Sequence, residues 1–153
     1  MSLLETLITL TLISLLALGC FSTYSHYYQH KALEQSATQF IGALRFTKNA
    51  ATLTGETVYL CASSNNQTCN ADWQGALLVF TSQAPPEMTT VLQRFPALPQ
   101  DVRLSMTLLK DPPLYFMENG ETADNGSLTF TDGSHALYFT LSTTGIVKPA
   151  KPH

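Results

Sequence analysis

Few side chains in this 153-residue sequence have the types and spacing that catalysis or metal binding requires. The histidines are His26, His30, His135 and His153. Only the first two, at positions i and i+4, could share a metal ion, but they lie beside tyrosines at the end of an apolar run, where polar tips that reach toward water are common. No other pair of histidines has the spacing of a metal site or a catalytic triad, so the sequence predicts no enzyme, no metal and no cofactor.

Cys61 and Cys69 lie eight positions apart with a polar loop between them. In an oxidising compartment, a disulfide closing this loop would stabilise the fold by about 2 to 3 kcal/mol. The alternatives are weaker, because two cysteines without a nearby histidine make half a zinc site and a catalytic thiol needs a neighbouring base. Cys20 lies in the apolar run and fits the role of a small buried apolar residue.

Charge is distributed unevenly along the chain. The net charge is −3, from 8 Lys and Arg against 11 Asp and Glu, and 44% of residues are apolar. These values are typical of one globular domain and exclude a generally basic or disordered chain. Glu5 is the sole formally charged residue in the first 30, residues 31–132 are acidic, and Lys148 and Lys151 lie near the end. The sequence therefore has an apolar head, an acidic body and a weakly basic tail.

The uncharged head could cross a membrane. As a helix, residues 6–28 would rise about 34 Å, enough for a hydrocarbon core of about 30 Å. Their serine and threonine hydroxyls could bond back to carbonyl groups one turn earlier. A cleaved secretory signal or a lipoprotein signal ending at Cys20 would begin with a basic residue, which is missing. An uncleaved helix fits better, although a lone Glu5 carboxylate in lipid costs about 2 to 3 kcal/mol unless something pairs with it.

The first residues resemble a known N-terminus. Met1-Ser2-Leu3-Leu4-Glu5-Thr6-Leu7-Ile8 is similar to the mature start of type IV pilins and type II secretion pseudopilins, although residue 1 there is usually Phe. The resemblance implies that prepilin peptidase removes a leader and that the new amine, here of Met1, is methylated. In a helical stack of subunits, Glu5 can neutralise the amine of a neighbour. The alternative is a solvated interfacial glutamate without a partner.

Downstream of the head, the pattern predicts a helix and then strands. Apolar residues at helical spacing include Leu33, Phe40 and Leu44, and Gly55 ends the helix. The predicted strands are 56–62, 76–82, 89–95, 102–109, 114–117, 127–131 and 136–142. Asn125-Gly126 and Asp132-Gly133 favour hairpins. The predicted fold class is α+β and type IV pilin-like, with a long N-terminal helix packed on an antiparallel β-sheet body.

The cysteine region narrows the resemblance. Val58-Tyr59-Leu60-Cys61, then Cys69, then Asp72-Trp73-Gln74-Gly75-Ala76-Leu77-Leu78-Val79-Phe80 resemble the FimT and GspH family of minor pilins and pseudopilins. The resemblance implies a membrane and assembly half at residues 1–28 and a periplasmic domain at 29–153. That domain would contain the rest of the helix at 29–54, a β-rich region at 56–148 and a mobile tail at 149–153. Trp73 is expected to wedge the turn before its strand against the core.

The C-terminal segment bears on DNA binding. FimT-type members used in DNA uptake share a Gly-Arg-x-Arg motif, and the matching segment here is Gly145-Ile146-Val147-Lys148, in which isoleucine replaces the first arginine. Lys148 and Lys151 would give at best a weak, salt-dependent phosphate contact. The alternative is a solvated last strand and tail, because exposed lysines are ordinary on any surface.

The predicted function is that of a minor pilin or pseudopilin in the tip or priming complex of a type IV pilus or a type II secretion system. The expected location is the inner membrane, with a single pass and the C-terminal domain in the periplasm, followed by incorporation into the filament. The expected partners are other minor pilins or pseudopilins, the major pilin and the inner membrane. The alternative function is a DNA-binding minor pilin that acts in natural transformation.

Overall fold

The computed structural model describes residues 2–70, 72–73, 75–83, 88–108 and 112–150. The side chains at 18–30 and at 108 are outside this description. Met1 and Lys151 therefore lie outside the described residues, as does the side chain of Cys20. The chain divides into two compact units, residues 1–32 and residues 33–153.

The first unit is helical and belongs to α1, Leu3–Thr54. Its hydroxyls donate to carbonyl oxygens one turn earlier: Thr6 to Leu3 at 2.9 Å, Thr9 to Thr6 at 3.0 Å, Thr11 to Ile8 at 2.9 Å and Ser14 to Thr11 at 2.8 Å. Every leucine and isoleucine between positions 3 and 16 is more than half exposed. In the part of the chain that the structure describes, no helix has both the length and the hydropathy of a membrane span.

In the second unit, α1 presents the predicted apolar face to the core. Leu33, Ala37, Phe40 and Leu44 are at most 2% exposed, because residues at this spacing lie on one side of a helix. The helix ends where predicted, and the amide of Gly55 donates to the carbonyl of Ala51 at 3.0 Å. This bond satisfies one of the carbonyl groups that a helix end leaves without a partner.

Among the residues that the structure describes, eight strands follow the helix: β1 Val58–Ser63, β2 Ala76–Thr81, β3 Thr90–Phe95, β4 Arg103–Leu108, β5 Leu114–Phe116, β6 Gly126–Thr131, β7 Ala136–Leu141 and β8 Val147–Ala150. They form two four-stranded antiparallel sheets, in the orders β3-β2-β1-β5 and β4-β6-β7-β8. All seven predicted strands are present with ends shifted by at most two residues. The eighth strand, β8, extends two residues beyond the predicted end of the β-rich region at 148.

One hydrophobic core joins the helix to both sheets. It contains Leu60 and Val79 from the first sheet and Leu128 and Phe130 from the second. A smaller cluster of Cys61, Leu78 and Phe80 covers the other face of the first sheet. The outermost strand of the first sheet, β3, has mostly exposed side chains. Its pairing with β2 is irregular, because the register skips Leu92.

The two predicted hairpin turns have different outcomes. Asp132-Gly133 joins β6 to β7, and Thr131 pairs with Ala136 across the turn. The hairpin predicted at Asn125-Gly126 is wrong, because β6 pairs with β4 and β7 while the preceding strand, β5, pairs with β1 in the other sheet. A turn motif depends on a few neighbouring residues, so it does not indicate that the chain passes from one sheet to the other at this point.

The Asp132 carboxylate organises the β6–β7 turn. It accepts hydrogen bonds from the amides of His135 at 2.7 Å and Ser134 at 2.8 Å. These two backbone bonds, that of His135 first, lower the pKa of Asp132 below its usual 3.8. A lowered folded-state pKa means that the stabilising contribution is complete above the unfolded-state value and is lost as the pH falls through the folded-state value.

We therefore expect the Asp132 carboxyl carbon to titrate with a midpoint below pH 3.8 in NMR spectra of the folded chain. The amide signals of Ser134 and His135 should move with the same midpoint, because protonation weakens the bonds they donate. Asp132→Asn should abolish this acid transition in both amides. A carboxyl midpoint at or above 3.8 would contradict the assignment.

Candidate functional site

Glu5 lies in the first turn of α1 and is exposed. Its amide donates to the carbonyl of Ser2 at 2.9 Å. A carboxylate in the first turn interacts favourably with the positive end of the helix dipole. This position therefore suits an acid, whereas the pairing of Glu5 with a neighbouring subunit stays a prediction.

The disulfide between Cys61 and Cys69 is present, as predicted, with Cα atoms 5.6 Å apart. The side chain of Asn65 organises the enclosed loop, since its Oδ1 accepts hydrogen bonds from the amides of Gln67 at 2.9 Å and Thr68 at 3.0 Å. The amide of Asn70 then donates to the carbonyl of Ala62 at 2.7 Å. The polar loop thus folds back on β1 and satisfies its backbone groups locally.

Removing the disulfide should weaken the fold measurably. We expect Cys61→Ala with Cys69→Ala to lower the free energy of unfolding by about 2 to 3 kcal/mol, because the unfolded chain regains the freedom of the open loop. Urea unfolding can be followed by the fluorescence of Trp73, the single tryptophan of the chain. Reduction of the unaltered chain with dithiothreitol is the matched control and should give a similar change. A change below about 0.5 kcal/mol in both experiments would contradict this prediction.

Trp73 and Gly75, from the motif at residues 72–80, fix the path of the chain where it enters β2. Trp73 is 7% exposed, and its ring meets that of Phe40 edge to face with centroids 5.5 Å apart. It is therefore buried against α1, as expected of a wedge. Gly75 has φ of +122°, and a Cβ there would lie 2.7 Å from the carbonyl oxygen of Ser63. Only glycine lets the chain pass β1 at this distance.

The C-terminal motif also begins with a glycine that the fold requires. Gly145 has φ of +69°, and its amide donates to the carbonyl of Ser142 at 2.8 Å. A Cβ there would lie 2.7 Å from Cε1 of Phe116 and 2.9 Å from the carbonyl oxygen of Gly120. Lys48 of α1 donates from Nζ to the carbonyl of Thr144 at 2.8 Å. The β7–β8 turn is therefore held against the helix and against the segment after β5.

The first of the two lysines that the alternative DNA-binding function would use lies on the strand after this turn. Lys148 is exposed on β8 and pairs with Thr140 of β7. Ile146, in the place of an arginine, is 48% exposed. Lys151 lies outside the described residues, so the DNA contact of the two lysines stays a prediction. Sequence reasoning singled out this motif for its cations and missed the structural role of Gly145, which the positive φ and the close contacts establish.

The described residues contain no group of three or more His, Cys, Asp or Glu side chains placed to hold a metal ion. Of the features that the sequence singles out, the structure describes the helix start around Glu5, the disulfide loop and the β7–β8 turn. The first exposes apolar surface, and the other two fix the shape of surface loops.

Comparisons with known proteins identify the family of the chain. The family model described as "Type II transport protein GspH" matches residues 36–145, which is most of the chain. Among curated proteins, none matches the chain by sequence.

Three solved structures show the same fold. Two are crystal forms of the type IV minor pilin FimU of Pseudomonas aeruginosa, each 12% identical, with TM-scores of 0.66 and 0.60. The first match covers 82% of this chain and 92% of that one, and the second covers 80% and 92%. The minor pseudopilin EpsH of the type 2 secretion system of Vibrio cholerae is 16% identical, with a TM-score of 0.54 and coverage of 76% and 94%.

The predicted fold class is thereby confirmed. Pilins and pseudopilins are structural subunits rather than enzymes, which agrees with the lack of predicted catalytic residues in the sequence. The chain belongs to the GspH family, and it has the fold of the type IV pilin-like minor pilins and pseudopilins.

Proposed function

We propose that this chain is a minor subunit in the tip or priming complex of a type IV pilus or of a type II secretion pseudopilus. The main support is the exposed apolar surface of residues 3–16. A continuous apolar surface of this kind is stable only when lipid or other apolar helices cover it. The hydroxyls within it are already bonded to the helix backbone, so they add little cost to that burial.

In this proposal, residues 1–28 hold the subunit in the inner membrane before assembly, and residues 29–153 lie in the periplasm. The disulfide supports the second assignment, because such bonds persist in oxidising compartments. Prepilin peptidase would process a precursor, and the amine of Met1 would be methylated. The Glu5 carboxylate would then meet the amine of the adjacent subunit and fix the helical register, since an unpaired charge in an apolar stack is costly.

A deletion strain complemented with the unaltered chain tests the proposal. We expect deletion to reduce either surface pili, counted by electron microscopy, or secreted proteins, measured in the culture medium. Loss of pili assigns the chain to a pilus, and loss of secretion assigns it to a pseudopilus. If both stay normal, the proposal is wrong. Transformation frequency in the same strains tests the alternative role in DNA uptake, which predicts loss of transformation with pili intact.

A point variant tests the role of the apolar surface in the same strain. Leu10 is 65% exposed in the first unit, and Leu10→Arg should prevent complementation, because a central arginine in an apolar stack costs about 2.5 kcal/mol or more. The matched control is Thr107→Arg, at an exposed position of β4. The control should complement fully. Equal complementation by both variants would contradict burial of residues 3–16 in the assembly.

A further inference from the structure

An open groove lies at one end of the first sheet, where β1 begins, β2 ends and β3 begins. Its volume is about 470 Å³, within the range of about 300 to 1,000 Å³ that is usual for ligand pockets. Glu56, Tyr59, Thr81, Gln83 and Thr90 contribute to its lining. Because these residues come from three adjacent strands and their ends, the sheet itself sets their spacing.

The chemistry of the lining is restricted. Each lining residue has a hydroxyl, amide or carboxylate group, and the described residues of the lining include neither a Lys, Arg or His nor an aliphatic side chain. An anionic ligand such as a phosphate would meet the Glu56 carboxylate without a compensating cation. A lipid or an apolar peptide would leave the hydroxyls and amides without hydrogen-bond partners. The groove therefore suits a ligand with many hydroxyl groups better than it suits an anion or a lipid.

Tyr59 supplies the groove with a fixed aromatic ring. It pairs directly with Phe80 on one neighbouring strand and with Tyr115 on the other. The ring of Tyr59 stacks on that of Phe80 with centroids 5.5 Å apart and an interplanar angle of 23°, and it lies 6.0 Å from the ring of Tyr115. Phe80 is fully buried, whereas Tyr59 is partly exposed. A part-exposed ring that is held from two sides needs little ordering when a ligand binds.

We propose that this groove binds a neutral saccharide. The C–H groups of a pyranose ring would pack against the exposed part of the Tyr59 ring, as apolar surfaces pack on aromatic rings. The Glu56 carboxylate would accept hydrogen bonds from neighbouring sugar hydroxyls, and charged acceptors form the stronger hydrogen bonds. The hydroxyls of Thr81 and Thr90 and the amide of Gln83 would bind the remaining hydroxyls of the sugar.

Isothermal titration calorimetry on the full chain tests the proposal, in a detergent without a sugar headgroup, such as lauryldimethylamine oxide. The probes are maltose and cellobiose for non-acetylated glycans and diacetylchitobiose for the N-acetylated sugars of cell walls. We expect at least one of these disaccharides to bind, and the preferred probe identifies the source. Glu56→Gln, at an exposed position, should weaken binding by at least about tenfold through loss of a charged acceptor.

Tyr59→Leu should weaken binding by a similar factor, and Tyr138→Leu is its matched control. Tyr138 is also a part-exposed tyrosine within a strand, but it lies in the second sheet. The control should bind as the unaltered chain does, and circular dichroism should show that all variants are folded. Failure of all three disaccharides to bind overturns the proposal. So does unchanged binding in Glu56→Gln, or binding of cadaverine alone, which would indicate a site for amines.

Discussion

Gly145→Ala is expected to lower the free energy of unfolding by about 2 to 5 kcal/mol. Alanine disfavours the left-handed backbone conformation at φ of +69°, which lowers the free energy of unfolding by about 1 to 2 kcal/mol. Its Cβ would also lie 2.7 Å from the buried ring of Phe116 and 2.9 Å from the backbone oxygen of Gly120. Overpacking of this kind adds about 1 to 3 kcal/mol. Urea unfolding followed by Trp73 fluorescence measures the change.

The matched control is Gly133→Ala in the β6–β7 turn. Gly133 has φ of +91°, but nothing lies within 4 Å of an added Cβ. This variant should lose only the backbone contribution, about 1 to 2 kcal/mol. The difference between the two variants therefore isolates the contact between the C-terminal turn and the segment after β5. If both variants lose the same stability, the close packing described for Gly145 does not exist in solution.

Glu5→Ala is expected to reduce incorporation of the subunit into the filament by at least about tenfold while residues 33–153 stay folded. In the proposed stack, this change leaves the amine of the neighbouring subunit without its counter-charge, at a cost of about 2 to 3 kcal/mol. Incorporation is measured as the fraction of the chain that co-purifies with sheared filaments. Folding is measured as the urea midpoint of the same variant, which should not move.

Two further variants separate charge from shape. Glu5→Gln keeps the size of the side chain and should fail as severely as the alanine variant if the charge is what matters. Glu34→Ala removes another exposed acid from the same helix and should assemble normally. Normal incorporation of Glu5→Gln would show that the carboxylate is not needed, and the proposed register role would then be wrong.

Local patterns in the sequence predict much of this fold. Periodicity within short windows predicted the apolar face of the helix from Leu33 to Ala51 and all seven strands. Turn residues predicted where these elements end, as Gly55 does for the helix. The disulfide was predictable because the intervening loop is short and polar. The burial of Trp73 followed from the large apolar area of an aromatic side chain at the entrance to a strand.

The division into two sheets was not predictable in the same way. It depends on pairings between segments far apart in the sequence, such as β1 with β5 and β4 with β6. The groove at Tyr59 follows from that arrangement, since its lining combines three strands whose neighbours are known only once the sheets are formed. In the sequence, Tyr59 is an ordinary strand residue. The structural role of Gly145 likewise became evident only from its φ angle and from the short distances between an added Cβ and its neighbours.

The outer strand β3 affects how the chain behaves at high concentration. An exposed edge of a sheet can pair with the same edge of another copy, which is a common route to aggregation. Here the register shift at Leu92 interrupts the ladder of β3, and Arg94 places a charge on the same strand. The irregularity at Leu92 disfavours an unbroken six-residue ladder between two copies, and in a parallel, in-register pair their arginines would repel each other. Subunits that accumulate before assembly should therefore not associate through this edge into amyloid-like stacks.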